Sequence, residues 1–158
     1  MSTGTSLLVF SLEALRLGFP LEAVERVVTA CELTPLPGAP GPVAGAINLH
    51  GDLVPVLELR PRLGLAAREV CQFDHFLVVR IGERRFALLI GDTEGVVEFP
   101  TEALVPSGEV VEGLAHIRGA IRLPDGLLLV TDPDRFLDLD EMRALARALA
   151  AAAVDSNA

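Results

Sequence analysis

The sequence predicts a mainly β domain that ends in one α-helix. Three observations predict this fold class. Most apolar segments are short enough to be strands and are bounded by Gly, Pro, Asp or Asn. Apolar residues recur clearly at helical spacing only near the C-terminus. Two halves of the chain also resemble each other at an offset of about 68 to 69 residues.

Strand-sized segments are spread along the whole chain. A mixed segment, residues 20–28, predicts a turn followed by a strand, because Pro20 suits a first turn whereas the valines after it are β-branched. Residues 33–42 are rich in Pro and are flanked by apolar strands, so they predict a rigid surface loop rather than a polyproline ligand or a linker. The remaining segments predict strands at residues 7–12, 46–49, 53–59, 76–81, 86–90, 95–99, 116–121 and 127–131.

One helix is predicted at about residues 139–153. Asp138 and Glu141 have the spacing of a capping box, in which each side chain accepts a hydrogen bond from the backbone N–H of the other residue. Apolar residues follow at helical spacing, namely Met142, Leu145, Ala146 and Leu149.

An internal repeat organises the rest of the chain. The segment Gly45-Ala-Ile-Asn-Leu-His-Gly51 recurs as Gly113-Leu-Ala-His-Ile-Arg-Gly119. We therefore divide a single domain, residues 1–158, into two pseudo-repeats at about 6–70 and 75–137, followed by the helix. A unit of about 69 residues is marginally stable alone. The halves should therefore pack on each other, and the seam between them is the natural groove for a partner.

Charge and composition argue against nucleic acid as a partner. The chain has a formal net charge of -9, its 13 basic residues are all Arg, and it contains neither Trp nor Tyr. A nucleic-acid surface needs clustered basic residues, usually with stacking aromatics. The only adjacent basic pair is Arg84 and Arg85. The acidic balance is more simply explained by solubility.

The sequence also argues against membrane insertion. Its longest apolar stretches, such as residues 144–154 with Arg147 inside, are shorter than the ~20 residues that span a bilayer. The N-terminus lacks the basic start and the cleavage pattern of a secretory signal. We therefore expect a cytoplasmic protein in which Cys31 and Cys71 stay reduced.

The sequence predicts neither an enzyme nor a cofactor nor a metal site. No nucleophile elbow, zinc-protease motif or phosphate-binding loop accompanies His50, His75 and His116. The lack of lysine excludes a Schiff base. A small thiol or metal enzyme is the alternative from another class. It would require a base beside Cys31, or a site formed by Cys31, Cys71 and His75 without paired ligand spacing.

A set of motifs runs in order through residues 7–137 and carries a family resemblance. The motifs are Leu8-Val9-Phe10, Val24-Glu25-Arg26-Val27, Leu36-Pro37-Gly38-Ala39-Pro40, the run from Gly45 to Arg60, and Ala87-Leu88-Leu89-Ile90 leading to Gly95-Val96-Val97-Glu98. Together they resemble the CheW family of chemotaxis coupling proteins. The resemblance implies two packed five-stranded SH3-like β-barrels, no catalytic activity and a scaffold role. The implied partners are the regulatory domain of a CheA-type histidine kinase and the cytoplasmic hairpin tip of a methyl-accepting chemoreceptor.

The resemblance also implies where partners bind. Arg26 stands at the place of a Glu in the family pattern, and His50 stands at the place of an Arg, so we expect the two to lie near each other on the partner-binding face. Without the resemblance, residues 48–51 would be interpreted as a plain β-turn. A divergent member that binds only one partner and modulates array assembly is the alternative within the family. The implied partner-binding residues are Val24, Arg26, Val28, Gly45, Asn48, His50 and Gly51.

Overall fold

The fold is mainly β with one α-helix, as predicted. The computed structural model describes residues 4–29, 32–66, 74–106 and 117–156. Short 3₁₀ turns lie at Leu21–Ala23, Pro61–Leu63, Thr101–Ala103 and Pro133–Arg135. The strands are β1 (Gly4–Leu12), β2 (Leu15–Pro20), β3 (Val24–Thr29), β4 (Val43–Leu49), β5 (Asp52–Leu57), β6 (His75–Ile81), β7 (Arg84–Ile90), β8 (Thr93–Pro100), β9 (Leu104–Pro106), β10 (Ile117–Leu123) and β11 (Gly126–Thr131), and the helix is α1 (Leu139–Ser156).

The less regular segments follow the sequence prediction in most places. Residues 20–28 form a 3₁₀ turn followed by strand β3, as predicted. Residues 33–42 form a loop, as predicted, and one isolated bridge joins it to β4. The backbone N–H of Thr34 donates to the carbonyl of Ala46 at 2.7 Å, and the N–H of Ala46 donates to the carbonyl of Thr34 at 2.8 Å. Strands β2 and β9 are additional to the predicted strands. The first residue of the predicted strand 116–121 lies outside the described residues.

The strands form two sheets that exchange hairpins between the two halves of the sequence. Sheet A has the order β8-β1-β2-β11-β10-β9, and sheet B has the order β3-β6-β7-β5-β4. The first hairpin of the chain, β1–β2, therefore belongs to the sheet of the second half, whereas β6–β7 belongs to the sheet of the first half. Parallel pairings of β2 with β11 and of β5 with β7 join each hairpin to its sheet.

The strand registers correct the internal alignment of the repeat. A register shift in β4 falls between Val43 and Gly45, and the corresponding shift in β10 falls between Ile117 and Gly119. Gly45-Ala-Ile-Asn-Leu therefore corresponds to Gly119-Ala-Ile-Arg-Leu, and the predicted match of Gly45 with Gly113 is wrong. Gly113 itself lies outside the described residues. The shared feature is one glycine at a β-bulge, not two glycines six residues apart.

Both bulge glycines allow a neighbouring carbonyl to approach closely. A Cβ on Gly45 would lie 2.8 Å from the carbonyl oxygen of Thr34, and a Cβ on Gly119 would overlap the carbonyl oxygen of Val105. Thr34 pairs with Ala46, and Val105 pairs with Ala120. The bridge at Thr34 in sheet B is therefore the counterpart of the short strand β9 in sheet A.

Apolar side chains form a core in each sheet and a larger core between the sheets. One cluster within sheet B includes Ile47 and Phe76, and one within sheet A includes Leu7 and Ile121. The largest cluster combines residues of both sheets and of α1, for example Phe10, Leu17, Leu77, Phe86 and Leu145. The halves therefore pack on each other, as expected. In the described residues, side chains fill the space between the two sheets. An open pocket lies where Asp52 to Pro55 of the first half face Arg80 to Arg85 of the second half.

Helix α1 begins at the predicted capping box. The backbone N–H of Glu141 donates to Asp138 Oδ1 at 2.7 Å, and the backbone N–H of Asp138 donates to Glu141 Oε1 at 3.0 Å. Met142, Leu145 and Leu149 pack on the largest cluster as predicted, whereas Ala146 is exposed. Among the described helices, none combines the length and the hydropathy needed to cross a membrane.

Candidate partner-binding site

The implied partner-binding residues all lie in sheet B, on its two edges. Val24, Arg26 and Val28 belong to β3, which is one edge strand. Gly45 and Asn48 belong to β4, the other edge strand, and His50 and Gly51 form the turn between β4 and β5. The structure therefore brings segments that are far apart in the sequence to one region of one sheet.

A bulge in β3 separates the two valines onto different faces. Val24 lies opposite Val79, whereas Arg26 lies opposite Val78, so one extra residue is inserted between them. Val24 packs on the large cluster between the sheets, and Val28 packs on the cluster within sheet B. Both valines are half-buried, whereas Arg26 is exposed.

The β4–β5 turn has a backbone conformation that suits its residues. Leu49 pairs with Asp52, and the two residues between them have positive φ values, 53° for His50 and 91° for Gly51. Such two-residue hairpin turns favour glycine at the second position. The backbone N–H of Gly51 donates to Asn48 Oδ1 at 2.9 Å. Asn48 and Gly51 thus stabilise the turn that presents the exposed side chain of His50.

The glycines of the implied site have structural roles. Gly45 is buried at the bulge, where a Cβ would meet the Thr34 carbonyl. A Cβ added to Gly51 would have no atom within 4 Å. Glycine is therefore favoured at this position only because the backbone has a positive φ. The side chains of the implied set that reach the surface are those of Arg26, Asn48 and His50.

Arg26 and His50 connect the two edges of sheet B. Arg26 Nη1 lies 3.4 Å from His50 Nε2, which confirms that the two side chains are neighbours. In the tautomer that carries its proton on Nδ1, the imidazole accepts this long hydrogen bond at Nε2 from the guanidinium. Within the described part of the chain, no carboxylate forms an ion pair with Arg26.

A network of ion pairs lies beside this pair. Glu25 is 3.5 Å from Arg80 Nε and 3.2 Å from Arg85 Nε, and Asp52 is 3.3 Å from Arg85 Nη1. The network spans β3, β6, β7 and β5, so it crosses most of sheet B. The acids that flank Arg26 and His50 in the sequence are therefore already paired with other arginines.

Sheet A contains a counterpart of this network. Arg16 lies 3.1 Å from Glu94 and 3.1 Å from Asp125. Its hydrogen bond with Glu94 is the main cause that raises the pKa of the Arg16 guanidinium. Strand registers relate Arg16 to Arg85 and Glu94 to Glu25. Neither network was predicted from the sequence, although the 69-residue separation within each related pair matches the predicted repeat offset.

A buried arginine links the two sheets near the end of β5. Arg60, which is 1% exposed, donates from Nη1 to Glu58 Oε1 at 3.1 Å and from Nε to Glu13 Oε1 at 3.0 Å. Glu58 is also buried, whereas Glu13 lies in the β1–β2 turn and is half-exposed. In the sequence, Arg60 is only the last residue of a motif, and its burial was not predicted because an arginine after a strand is more often solvated.

The alternative thiol or metal site is only partly covered by the structure. Cys31, Cys71 and His116 lie outside the described residues. In the described ranges, no three His, Cys, Asp or Glu side chains are close enough together to hold a metal ion. His75 Nδ1 lies 3.2 Å from the carbonyl oxygen of Gly91, so this histidine contacts backbone.

Comparisons with known proteins agree with this architecture. A family model described as a CheW-like domain matches residues 6–141. The chemotaxis protein CheW of Treponema pallidum is 23% identical over 146 residues, which cover 89% of this chain and 86% of that protein. The chemotaxis protein CheW of Thermotoga maritima is 26% identical over 135 residues, which cover 85% of each.

A solved structure has the same fold. The scaffolding protein TtCheW from Thermoanaerobacter tengcongensis matches with a TM-score of 0.78 at 22% identity, over 88% of this chain and 96% of that one. The family model spans both sheets and reaches the first turn of α1. The chain belongs to the family of CheW-like domains.

Proposed function

We propose that this protein is a non-enzymatic adaptor in a bacterial chemotaxis-type signalling array. It joins the regulatory domain of a CheA-type histidine kinase to the cytoplasmic hairpin tip of a methyl-accepting chemoreceptor, and it acts in the cytoplasm. The observation that carries the proposal is the match of residues 6–141 to the CheW-like family model. The names of the relatives, chemotaxis protein and scaffolding protein, agree with this role.

The geometry of sheet B supports an adaptor function. An adaptor needs a rigid surface with exposed polar side chains, because it recognises partners without a chemical step. Arg26, Asn48 and His50 are exposed on a framework fixed by a bulge, a tight turn and a network of ion pairs. The Asn48 amide is held by the turn, whereas the Arg26 guanidinium keeps most of its donors for a partner.

Reconstitution from purified components tests the proposal. The kinase regulatory domain and a receptor cytoplasmic fragment from the same organism are each titrated with the protein by calorimetry, without nucleotide or metal. We expect binding to both, and co-sedimentation of the kinase domain with receptor fragments only when the protein is present. Binding to one partner alone would establish the narrower role of a divergent member. Binding to neither would contradict the proposal.

A further inference from the structure

Among the residues that the structure describes, no carboxylate is paired with Arg26 or His50. The neighbouring carboxylates, Glu25 and Asp52, are engaged by Arg80 and Arg85. Three guanidinium groups and one imidazole therefore stand beside two carboxylates at this end of sheet B. This local excess of basic groups contrasts with the formal net charge of -9 of the whole chain.

We infer that the partner presents a carboxylate side chain, from Asp or Glu, which binds the Arg26 guanidinium beside the His50 imidazole. The inference rests on the proposed function, because it concerns a partner of the same surface. A guanidinium has five N–H donors, and the contact with His50 uses one of them. The remaining donors are sufficient for a two-pronged hydrogen bond to a carboxylate.

The structure around the pair favours recognition of an anion. Arg26 extends from one edge of sheet B and His50 from the turn at the other edge, and their nitrogen atoms are 3.4 Å apart. A carboxylate that accepts hydrogen bonds from the guanidinium would lie beside the His50 ring, whose N–H can also donate to it. A basic side chain from a partner would instead be repelled by the positive charge of the Arg26 guanidinium. An apolar side chain would bury the guanidinium without a partner, which is unfavourable.

The charged groups around the pair form ion pairs with each other. They are Glu25 on β3, Arg80 on β6, Arg85 on β7 and Asp52 on β5. The guanidinium of Arg26 is permanently charged. Its charge is therefore available for an acidic side chain of a partner.

Charge variants at one position test the sign of the partner. Affinities for the kinase regulatory domain and for the receptor fragment are measured by calorimetry with the parent, Arg26→Gln and Arg26→Glu. For one of the partners, Arg26→Gln should weaken binding about tenfold. Arg26→Glu should weaken it further, because the introduced acid repels the partner carboxylate. Thermal melts of each variant check that the exposed substitution leaves the fold intact.

Two further variants separate the pair from general surface charge. Arg122→Gln is the control, because Arg122 is an exposed arginine on β10, the strand of sheet A that corresponds to β4. It should leave both affinities unchanged. His50→Gln should weaken binding less than Arg26→Gln does, because a glutamine amide can still donate a hydrogen bond to the partner carboxylate.

Each outcome has a defined consequence. If Arg26→Glu binds as tightly as Arg26→Gln or more tightly, the partner is not acidic at this site and the inference is wrong. If both variants bind like the parent, the pair is not in the interface, and the adaptor function stands without it. If the parent binds neither partner, the proposed function itself is overturned, and this inference with it.

Discussion

Replacement of Arg60 by Met should strongly destabilise the fold. The substitution keeps an unbranched chain of similar length but removes the guanidinium that neutralises Glu58. Glu58 is 8% exposed and would remain as a buried carboxylate without its partner. Removal of one partner from a buried ion pair lowers the free energy of unfolding by about 3 to 5 kcal/mol. In a chain of 158 residues, this corresponds to a decrease of about 6 to 20 °C in Tm.

The other acid of this site should contribute much less. Glu13 is 48% exposed in the β1–β2 turn, so water can hydrate its carboxylate when Arg60 is absent. The double variant Glu58→Leu with Arg60→Met removes both buried charges at once. Because no buried charge remains unpaired, it should be more stable than Arg60→Met alone. Urea unfolding followed by circular dichroism gives these free energies.

An exposed arginine provides the control for this experiment. Arg143 is 63% exposed and lies 3.9 Å from Asp140, which is 95% exposed. Arg143→Met should change the free energy of unfolding by less than about 0.5 kcal/mol. The stabilising role of the buried ion pair would be contradicted if Arg60→Met were as stable as Arg143→Met. It would also be contradicted if the loss of unfolding free energy in the double variant equalled the sum of the losses in Glu58→Leu and Arg60→Met.

Three other substitutions test local features of the fold by thermal melts. Gly45→Ala should destabilise the fold by about 1 to 3 kcal/mol, because the added Cβ meets the Thr34 carbonyl. The control Gly41→Ala should be nearly neutral, because a Cβ at that position has no atom within 4 Å. Equal melting temperatures of the two variants would contradict the role of Gly45 at the bulge. Gly51→Val should lower stability by about 1 to 3 kcal/mol, since valine disfavours a φ of 91°, and a melt like that of the parent would disprove it. Asp138→Ala should lower the free energy of unfolding by about 1 kcal/mol, because it removes the capping box. An unchanged Tm would show that the cap is dispensable.

Local sequence patterns predicted the helix and all strands except β2 and β9, but not how the hairpins are shared between the sheets. The hairpins at β1–β2 and β6–β7 have nearly the same apolar pattern, with Leu7 and Val9 equivalent to Phe76 and Val78. Either hairpin therefore fits either half of the chain by hydrophobic alternation alone. The pairing depends on long-range registers, which alternation does not specify.

The candidate site was predictable to a similar degree. The turn at residues 48–51 follows from its Asn and Gly, and the structure places the Asn48 amide on the Gly51 backbone, as such a turn requires. Strict alternation along β3 would place Val24, Arg26 and Val28 on one face. The bulge after Val24 overrides that alternation, and no residue type in the segment indicates a bulge in advance. The edge-to-edge contact of Arg26 with His50 depends on this bulge.

The pseudo-symmetry of the two sheets helps to separate features of the fold from features of recognition. The arginine clamped between two acids occurs in both sheets, with Arg85 in one and Arg16 in the other, which is expected of an interaction that stabilises the common framework. The Arg26–His50 pair occurs once: strand registers relate Arg26 to Gly95 and His50 to Pro124. Sheet A forms without an equivalent contact, so the framework does not require the pair. The Arg26–His50 pair is therefore available for recognition of a partner. For this reason, the experiments on Arg26 measure binding affinity, and thermal stability serves as the control.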